Sequence, residues 1–572
     1  MSKVRLPFNG ESTPLGSVDC LNEHHLQLLN KLSSVFEECN EKIVSEDQDD
    51  CSRVKTKVLS SIKKHSSQQH QRQKMEYSNT QRRLPSFKKR SEIVELIQEN
   101  QIVIISGDTG SGKTTQVPQY ILEECGHSAR IVVTQPRRVA AISVGERVAS
   151  EQRCKVGESV GYQVRLDSRP PTTSPSITYC TTGVLLQILQ SDSQLLQFTH
   201  VVIDEIHERD VLADILLVIM KTVLHQRRDL KLILMSATLD AEKFSQYMNQ
   251  CPVLHIPGFM FPVKVHHLED VFEMIKYEVP APIEDKNNNK AVLTEDEVEM
   301  MRVQQRLSQL TCSNLLNPEH EALNLDLVSE LVKYIHENKA AGAVLIFVPG
   351  WEEIQTLRLM LQGEDSLELF PLHGSMTAED QKKIFKPTQK VGHRKIVIAT
   401  NIAESSITVN DVVYVVDCGR SKMMTYDPEN NVSALTVGWI SAANARQRMG
   451  RAGRVRSGEV FKLFSKKRES LFSEFMVPEI TRVRLEQVML KLKMLKFEDD
   501  FFSQLMDKPE DVLIRTAHQT LIDIGAYHDD HTSQLTALGR TLGHLSSDPR
   551  HWYIFLPTIL FFALIYIFDL YI

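Results

Sequence analysis

The sequence predicts an α/β chain of two tandem parallel-sheet lobes followed by a mainly helical end. Three observations predict it. Short apolar, β-branched runs alternate with helical patterns from Leu84 onward, a second series of such runs begins near Ala343, and beyond Phe464 amphipathic helical patterns take over. Continuous apolar runs of a few residues, bounded by turn residues, are what strands buried on both faces require, and such sheets are parallel.

In the first lobe the runs are Ile102–Ser106, Ala129–Thr134, Ile177–Cys180, His200–Asp204 and Leu230–Ser236. In the second they are Ala343–Val348, Leu367–Leu372, Lys395–Ala399 and Val412–Asp417. Around them the chain divides into an N-terminal extension at 1–83, a first lobe at 84–262, a connecting segment at 263–325 with an acidic insertion at Glu284–Met300, and a second lobe at 326–466. Helical material follows at 467–540, and residues 541–572 end in an apolar tail.

Composition sets the class. With 572 residues, 42% of them hydrophobic and 24% charged, the chain has the profile of a globular protein of three or four domains and not of a fibrous or repeat protein. Its nine cysteines form no C-x-x-C pair or Cys/His cluster, so a reducing compartment and no structural zinc are expected. The start, M-S-K-V-R-L-P-F-N-G, lacks an apolar signal core, which points to cytoplasm and/or nucleus. The net charge of −7 does not announce nucleic-acid binding by itself. Between Cys51 and Arg90, however, twelve basic residues face the single acid Glu76, a bias that suits either a solvated linker or an arm that gathers phosphates.

The strongest motif is G-D-T-G-S-G-K-T, comprising Gly107, Asp108, Thr109, Gly110, Ser111, Gly112, Lys113 and Thr114, with Thr115 beginning the helix beyond. It lies between an apolar run and a helical pattern, the context a phosphate-binding loop needs. Glycines let backbone N–H groups approach phosphate oxygens, Lys113 reaches the β/γ-phosphates, and the Thr114 hydroxyl suits Mg²⁺. Asp204 and Glu205 end a buried run: the first suits Mg²⁺, which Glu205 also borders, and the second suits polarising a water, with His207 two positions on. Ser236-Ala237-Thr238 follows the next run, where Ser236 and Thr238 could sense the acid segment. In A-A-N-A-R-Q-R-M-G-R-A-G-R, Arg451 and Arg454 are expected on one helical face aimed at a γ-phosphate, with Gln447 a turn earlier near the lytic water.

These segments, together with T-Q-P-R-R at 134–138, T-T-G at 181–183, L-I-F-V-P-G at 345–350 and A-T-N-I-A-E-S-S-I-T-V at 399–409, stand in the order found in superfamily 2 DEAH/RHA-type (DExH-box) RNA helicases. The resemblance spans roughly Leu84 to Arg550, and its texture is similar to the Maleless-like and G-quadruplex-resolving branch. It implies two RecA-like lobes, a winged-helix domain and the start of a helical domain, use of ATP and Mg²⁺, and 3′-to-5′ unwinding of RNA. It also implies that Thr134, Arg137, Arg138, Thr181, Thr182, Thr400 and Asn401 line the strand path, that Arg147 and Phe385 sandwich the base, and that Asn410 stands where an acid usually binds ribose. A hairpin around D-P-E-N-N, within Lys422–Trp439, resembles the one such helicases place beside the strand exit.

Relatives of this type continue through a full helical domain and an OB-fold, so the resemblance implies a C-terminally shortened member. The last 22 residues carry one acid, Asp569, and no Lys or Arg. They read as an alternative end, a tail anchor or a buried helix, and a membrane partner follows only from the second. An RNA-binding isoform that hydrolyses ATP with little unwinding, and a DNA-directed helicase, are the alternatives to the RNA helicase reading.

Overall fold

A computed structural model describes residue 79 and residues 81–551, apart from 80, 109, 238–240, 259, 281–292, 386–387, 389–391, 405–408, 410, 498, 529–533 and 546–547. The basic arm up to residue 78, most of the acidic insertion and the 552–572 tail therefore lie outside the described residues.

The first sheet contains β1 (Ile102–Gly107), β2 (Arg130–Gln135), β3 (Val160–Val164), β4 (Asp167–Arg169), β5 (Ser176–Thr181), β6 (His200–Ile203), β7 (Lys231–Ser236) and β8 (Val253–Ile256). Their order is β4-β3-β5-β2-β6-β7-β1-β8, and every pairing is parallel except β3 with β4. The Val and Ile runs of β1, β2 and β6 are buried on both faces, as helices on each side demand. One face packs on helices Lys113–Cys125 and Arg138–Gln152, the other on Thr182–Ser191 and Val211–Gln226. This order sets the carboxyl ends of β6, β7 and β1 side by side. Loops after adjacent parallel strands open on one edge, where open α/β sheets bind ligands.

The second sheet contains β9 (Val263–His266), β10 (Ala343–Phe347), β11 (Leu367–Leu372), β12 (Arg394–Ala399), β13 (Val412–Asp417) and β16 (Gly458–Lys462), ordered β11-β12-β10-β13-β16-β9 and all parallel. Residues 263–266, expected in the connecting segment, instead form the edge strand β9, with Val265 opposite Val460. The acidic insertion also ends in order. Thr294 and Glu297 form a capping box that starts helix Glu295–Gln305, and Val298, Leu307 and Leu315 pack into the second-lobe core. The strands β14 (Arg420–Asp427) and β15 (Val432–Trp439) form the antiparallel hairpin expected around D-P-E-N-N.

Residues 257–262 join the two sheets. The Gly258 N–H donates to Asp108 Oδ2 at 3.2 Å, and the Phe261 N–H donates to the Gly453 carbonyl at 2.8 Å.

The C-terminal unit has helices Glu486–Met494, Asp511–Asp523 and Ala537–His544 and an antiparallel bridge between Tyr527 and Leu535. Leu490, Phe501 and Leu521 share one apolar cluster with Leu216, Met220 and Leu224 of the first lobe. Truncating one such buried leucine to alanine costs about 2–5 kcal/mol. No helix among the described residues is long and apolar enough to cross a membrane.

Candidate active site

The loop after β1 is built on glycine conformations. Gly110 and Gly112 have φ of 89° and 91°, a region that β-carbon-bearing residues disfavour. A Cβ on Gly107 would stand 2.6 Å from the Ile256 carbonyl oxygen, so this glycine is also needed for close packing. Helix Lys113–Cys125 then starts with no side-chain cap, which leaves its first N–H groups facing the loop. Lys113 is buried and donates to the carbonyls of Gly107 and Asp108, the second at 3.2 Å. Burial lowers its pKa, while the charges of Glu205 and Asp204 oppose that shift. Thr109 lies outside the described residues.

Asp204 follows β6 and is buried. Its Oδ2 accepts from the Thr114 hydroxyl at 2.6 Å and from Gln135 Nε2 at 2.7 Å, and its Oδ1 accepts from the Glu205 N–H at 2.9 Å. Burial, then the neighbouring Glu205, pushes its pKa up to about 6. Glu205 stands in the left-handed region with φ 56°. Burial raises its pKa too, with Lys113 and, more weakly, Arg451 and Arg137 countering. Ser111 Oγ and Glu205 Oε2 are buried with no hydrogen-bond partner among the described residues. A loop of exposed N–H groups, a buried lysine and paired Thr114 and Asp204 oxygens fit a nucleotide phosphate chain and a hard cation such as Mg²⁺.

His207 ties the acid segment to its neighbours. Its Nδ1 accepts from the Ala237 N–H at 3.2 Å, and its Nε2 lies 2.9 Å from the Gln447 side-chain amide of the second lobe. Burial drives its pKa down to about 4, so the ring is neutral at pH 7. The Gln447 atom 2.9 Å from His207 is its side-chain amide nitrogen, Nε2. Ser236 is buried at the end of β7, and Thr238 lies outside the described residues.

The four arginines of the last motif separate into distinct jobs. Helix Ala442–Met449 stops before Arg451, so Arg451 and Arg454 lie on the following turns and not on the helical face expected for them. Packing at Gly453 explains the turn: a Cβ there would stand 2.6 Å from Met260 Cγ and 2.7 Å from the Phe261 carbonyl oxygen. Arg451 is buried and Arg454 nearly so, and burial lowers both pKa values, to about 10 for Arg454, while Glu205 opposes each shift. Arg448 is wholly buried. Ion pairs to Glu404 at 2.6 Å and Asp417 at 2.7 Å make that burial tolerable. Arg446 pairs at the surface with Glu474 at 2.5 Å.

The residues implied to line the strand path do not share one surface. Arg137 does bridge the lobes, donating to the Asn401 carbonyl at 3.2 Å and pairing with Glu208 at 3.3 Å. Arg138 is exposed at the start of its helix, and Thr181 is half-buried. Thr134 is fully buried within β2, with β5 and β6 on either side, and Thr182 and Thr400 are buried as well. Arg147 is half-exposed and pairs with Glu151 at 2.6 Å. The side chain of Phe385, and Asn410 altogether, lie outside the described residues. A cavity of about 260 Å³ lies between the lobes and the hairpin, lined among others by Arg137, His207, Asn401, Lys422, Gln447 and Arg482. Sequence reasoning did not find Lys422 or Arg482, since isolated basic residues carry no local pattern.

Comparison with known proteins agrees with this architecture. Residues 88–246 match the DEAD/DEAH box helicase family, and residues 325–456 match the helicase conserved C-terminal domain. The chain is 43% identical over 508 residues to the ATP-dependent DNA/RNA helicase DHX36 of Rattus norvegicus, covering 83% of this chain and 50% of that protein. It is 41% identical over 498 residues to the DExH-box ATP-dependent RNA helicase DExH1 of Arabidopsis thaliana, covering 82% and 49%. It is also 41% identical over 481 residues to the ATP-dependent RNA helicase DHX30 of Rattus norvegicus, covering 82% and 38%. The chain thus spans about half the length, or less, of these relatives. With the phosphate loop, the acid pair and the arginine turn all converging on Glu205, and with these matches on both lobes, the chain belongs to the DExH-box helicases of superfamily 2.

Proposed function

We propose that this chain is an ATP-dependent RNA helicase that couples hydrolysis of Mg-ATP to movement along RNA and to strand separation. The observation that carries it is the meeting of three first-lobe loops with the Arg451–Arg454 turn of the second lobe around one carboxylate, Glu205. Glu205 is placed to orient and deprotonate a water, and Lys113 to hold the β/γ-phosphates. Arg451 and Arg454 supply positive charge where it develops in phosphoryl transfer. A Mg²⁺ ion held by Thr114 and Asp204 would neutralise phosphate oxygens when bound. Hydrolysis cleaves the γ-phosphoryl group onto the water, and departure of that phosphate removes the charge that draws the second-lobe arginines in; the strand contacts of the two lobes then shift relative to each other.

Movement in the 3′-to-5′ direction rests on the family resemblance alone. Structured guanine-rich RNA is the finer substrate to test, and cytoplasm and/or nucleus is the compartment we propose. Single-stranded RNA should stimulate ATP turnover, and Lys113→Ala or Glu205→Gln should abolish it; undiminished turnover in either variant would overturn the mechanism. The DHX36 relative is named an ATP-dependent DNA/RNA helicase, so DNA is tested beside RNA as the substrate. Stronger stimulation by DNA than by RNA single strands would establish DNA as the substrate.

A further inference from the structure

Outside the nucleotide loops, one ionic cluster links the acid segment to the C-terminal unit. Arg209 follows the turn Ile206–Glu208 and, like Glu205, has a left-handed backbone, with φ 50°. Two such non-glycine residues bracketing a three-residue turn persist only where their surroundings over-determine them. Arg209 is buried, 6% exposed, and donates Nε and Nη2 to the two oxygens of Asp214 at 2.9 and 3.0 Å. Its Nη2 also donates to Asp507 Oδ2 at 2.7 Å, across 298 positions of sequence. Glu479, also C-terminal, donates its N–H to the Arg209 carbonyl at 3.2 Å and accepts from the Val211 N–H at 3.2 Å.

Asp507 has a second cation. Both its oxygens accept from Lys243 Nζ at 2.9 Å. Lys243 lies on helix Ala241–Tyr247, just beyond Ser236-Ala237, and Tyr247 of that helix donates to the Gln504 carbonyl at 2.7 Å. One carboxylate therefore gathers cations from the far ends of two segments whose near ends meet at the Ala237-to-His207 hydrogen bond.

We infer that Asp507 is a positioning residue for hydrolysis: through Arg209 and Lys243 it fixes the turn carrying Glu205 and His207 against Ser236-Ala237. The C-terminal unit is thereby part of the hydrolytic apparatus, and a force on that unit reaches Glu205 through a chain of short polar contacts. Asp507 belongs to the C-terminal unit and its carboxylate is engaged by Arg209 and Lys243, outside the phosphate loop, so its effect falls on turnover and not on nucleotide binding. The inference rests on Glu205 acting on the water.

The test uses the full chain. Asp507→Asn, Asp507→Glu and Glu205→Gln are compared for RNA-stimulated kcat, KM for ATP, and affinity for a fluorescent ATP analogue. A small misplacement of a reacting group costs up to about a hundredfold, so Asp507→Asn should lower kcat per bound nucleotide by about tenfold to a hundredfold, with KM within about twofold. Asp507→Glu should restore most of it. A purely structural role would reduce the amount of folded enzyme and leave kcat per bound nucleotide unchanged, which overturns the inference. Should Asp507→Asn fail to fold, Lys243→Gln removes one of the two cations at a more exposed position and must lower kcat in the same way. Full turnover in Glu205→Gln overturns the assignment of Glu205 and the inference with it; an inactive Glu205→Gln beside a fully active Asp507→Asn overturns the inference alone.

Discussion

His207 of the first lobe and Gln447 of the second are joined by a 2.9 Å hydrogen bond across 240 positions of sequence. The bond exists only while the lobes are together, so it favours the closed arrangement. A hydrogen bond contributes about 1 kcal/mol net. Gln447→Ala should therefore lower RNA-stimulated ATP turnover by about fivefold to tenfold. Steady-state kinetics with saturating RNA measures this, and an unchanged rate would show that the bond does not assist closure.

The arginines of one motif should fail in different ways. Arg451→Lys or Arg454→Lys keeps a charge but loses the planar fork, and kcat should fall by up to about 10³ with nucleotide affinity nearly intact. Arg448→Met removes the shared partner of Glu404 and Asp417 and leaves two buried carboxylates uncompensated. That should cost about 3–5 kcal/mol of stability in the second lobe, visible as a lowered thermal midpoint before any assay of turnover.

Asp210 caps helix Val211–Gln226, its side chain accepting from the Ala213 N–H at 3.0 Å. Burial, opposed by that hydrogen bond and reinforced by Glu208, Glu479 and Asp214, pushes its pKa up to about 7 from 3.8. A raised carboxyl pKa means that ionisation weakens the folded state, beginning near pH 4 and complete above about pH 7. Asparagine caps about as well and carries no charge. Asp210→Asn should therefore match the parent near pH 4 and exceed it by about 1 kcal/mol at pH 8, discounted for partial solvent access. Thermal unfolding across that range checks the sign.

Thr134 and Arg137 offer a test of the strand path. Thr134→Val substitutes within a buried strand, where the Thr134 hydroxyl has no hydrogen-bond partner among the described residues, and should leave RNA affinity within about twofold. Arg137→Ala removes a cation that bridges the lobes and lines the cavity, and should weaken RNA binding and reduce its salt dependence. A titration of labelled single-stranded RNA at two salt concentrations distinguishes them.

The phosphate loop and the acid pair were legible because each is a local pattern: glycines at fixed offsets after an apolar run, and two carboxylates ending another. The fold class followed from the same runs. Edge strand β9 was not legible, since V-K-V-H is four residues long and half-polar, as an edge permits. The Arg451 turn was misjudged because three-residue spacing suggests a helix, while the close approach of Met260 and Phe261 that Gly453 accommodates is a tertiary fact. Thr134 entered the strand path through the resemblance alone, and its burial within β2 is not visible in the sequence. The bonds from His207 to Gln447 and from Arg209 to Asp507 span hundreds of residues and leave no local trace.

The segment 257–262 is held at the phosphate loop through Gly258 and at the arginine turn through Phe261. A chain from Ile256 to Val263 can reach no more than ~25 Å even when fully drawn out. It therefore acts as a short tether. The lobes can swing about this margin, but they cannot drift apart there, so the wide excursions of each cycle belong to the opposite rim of the cleft.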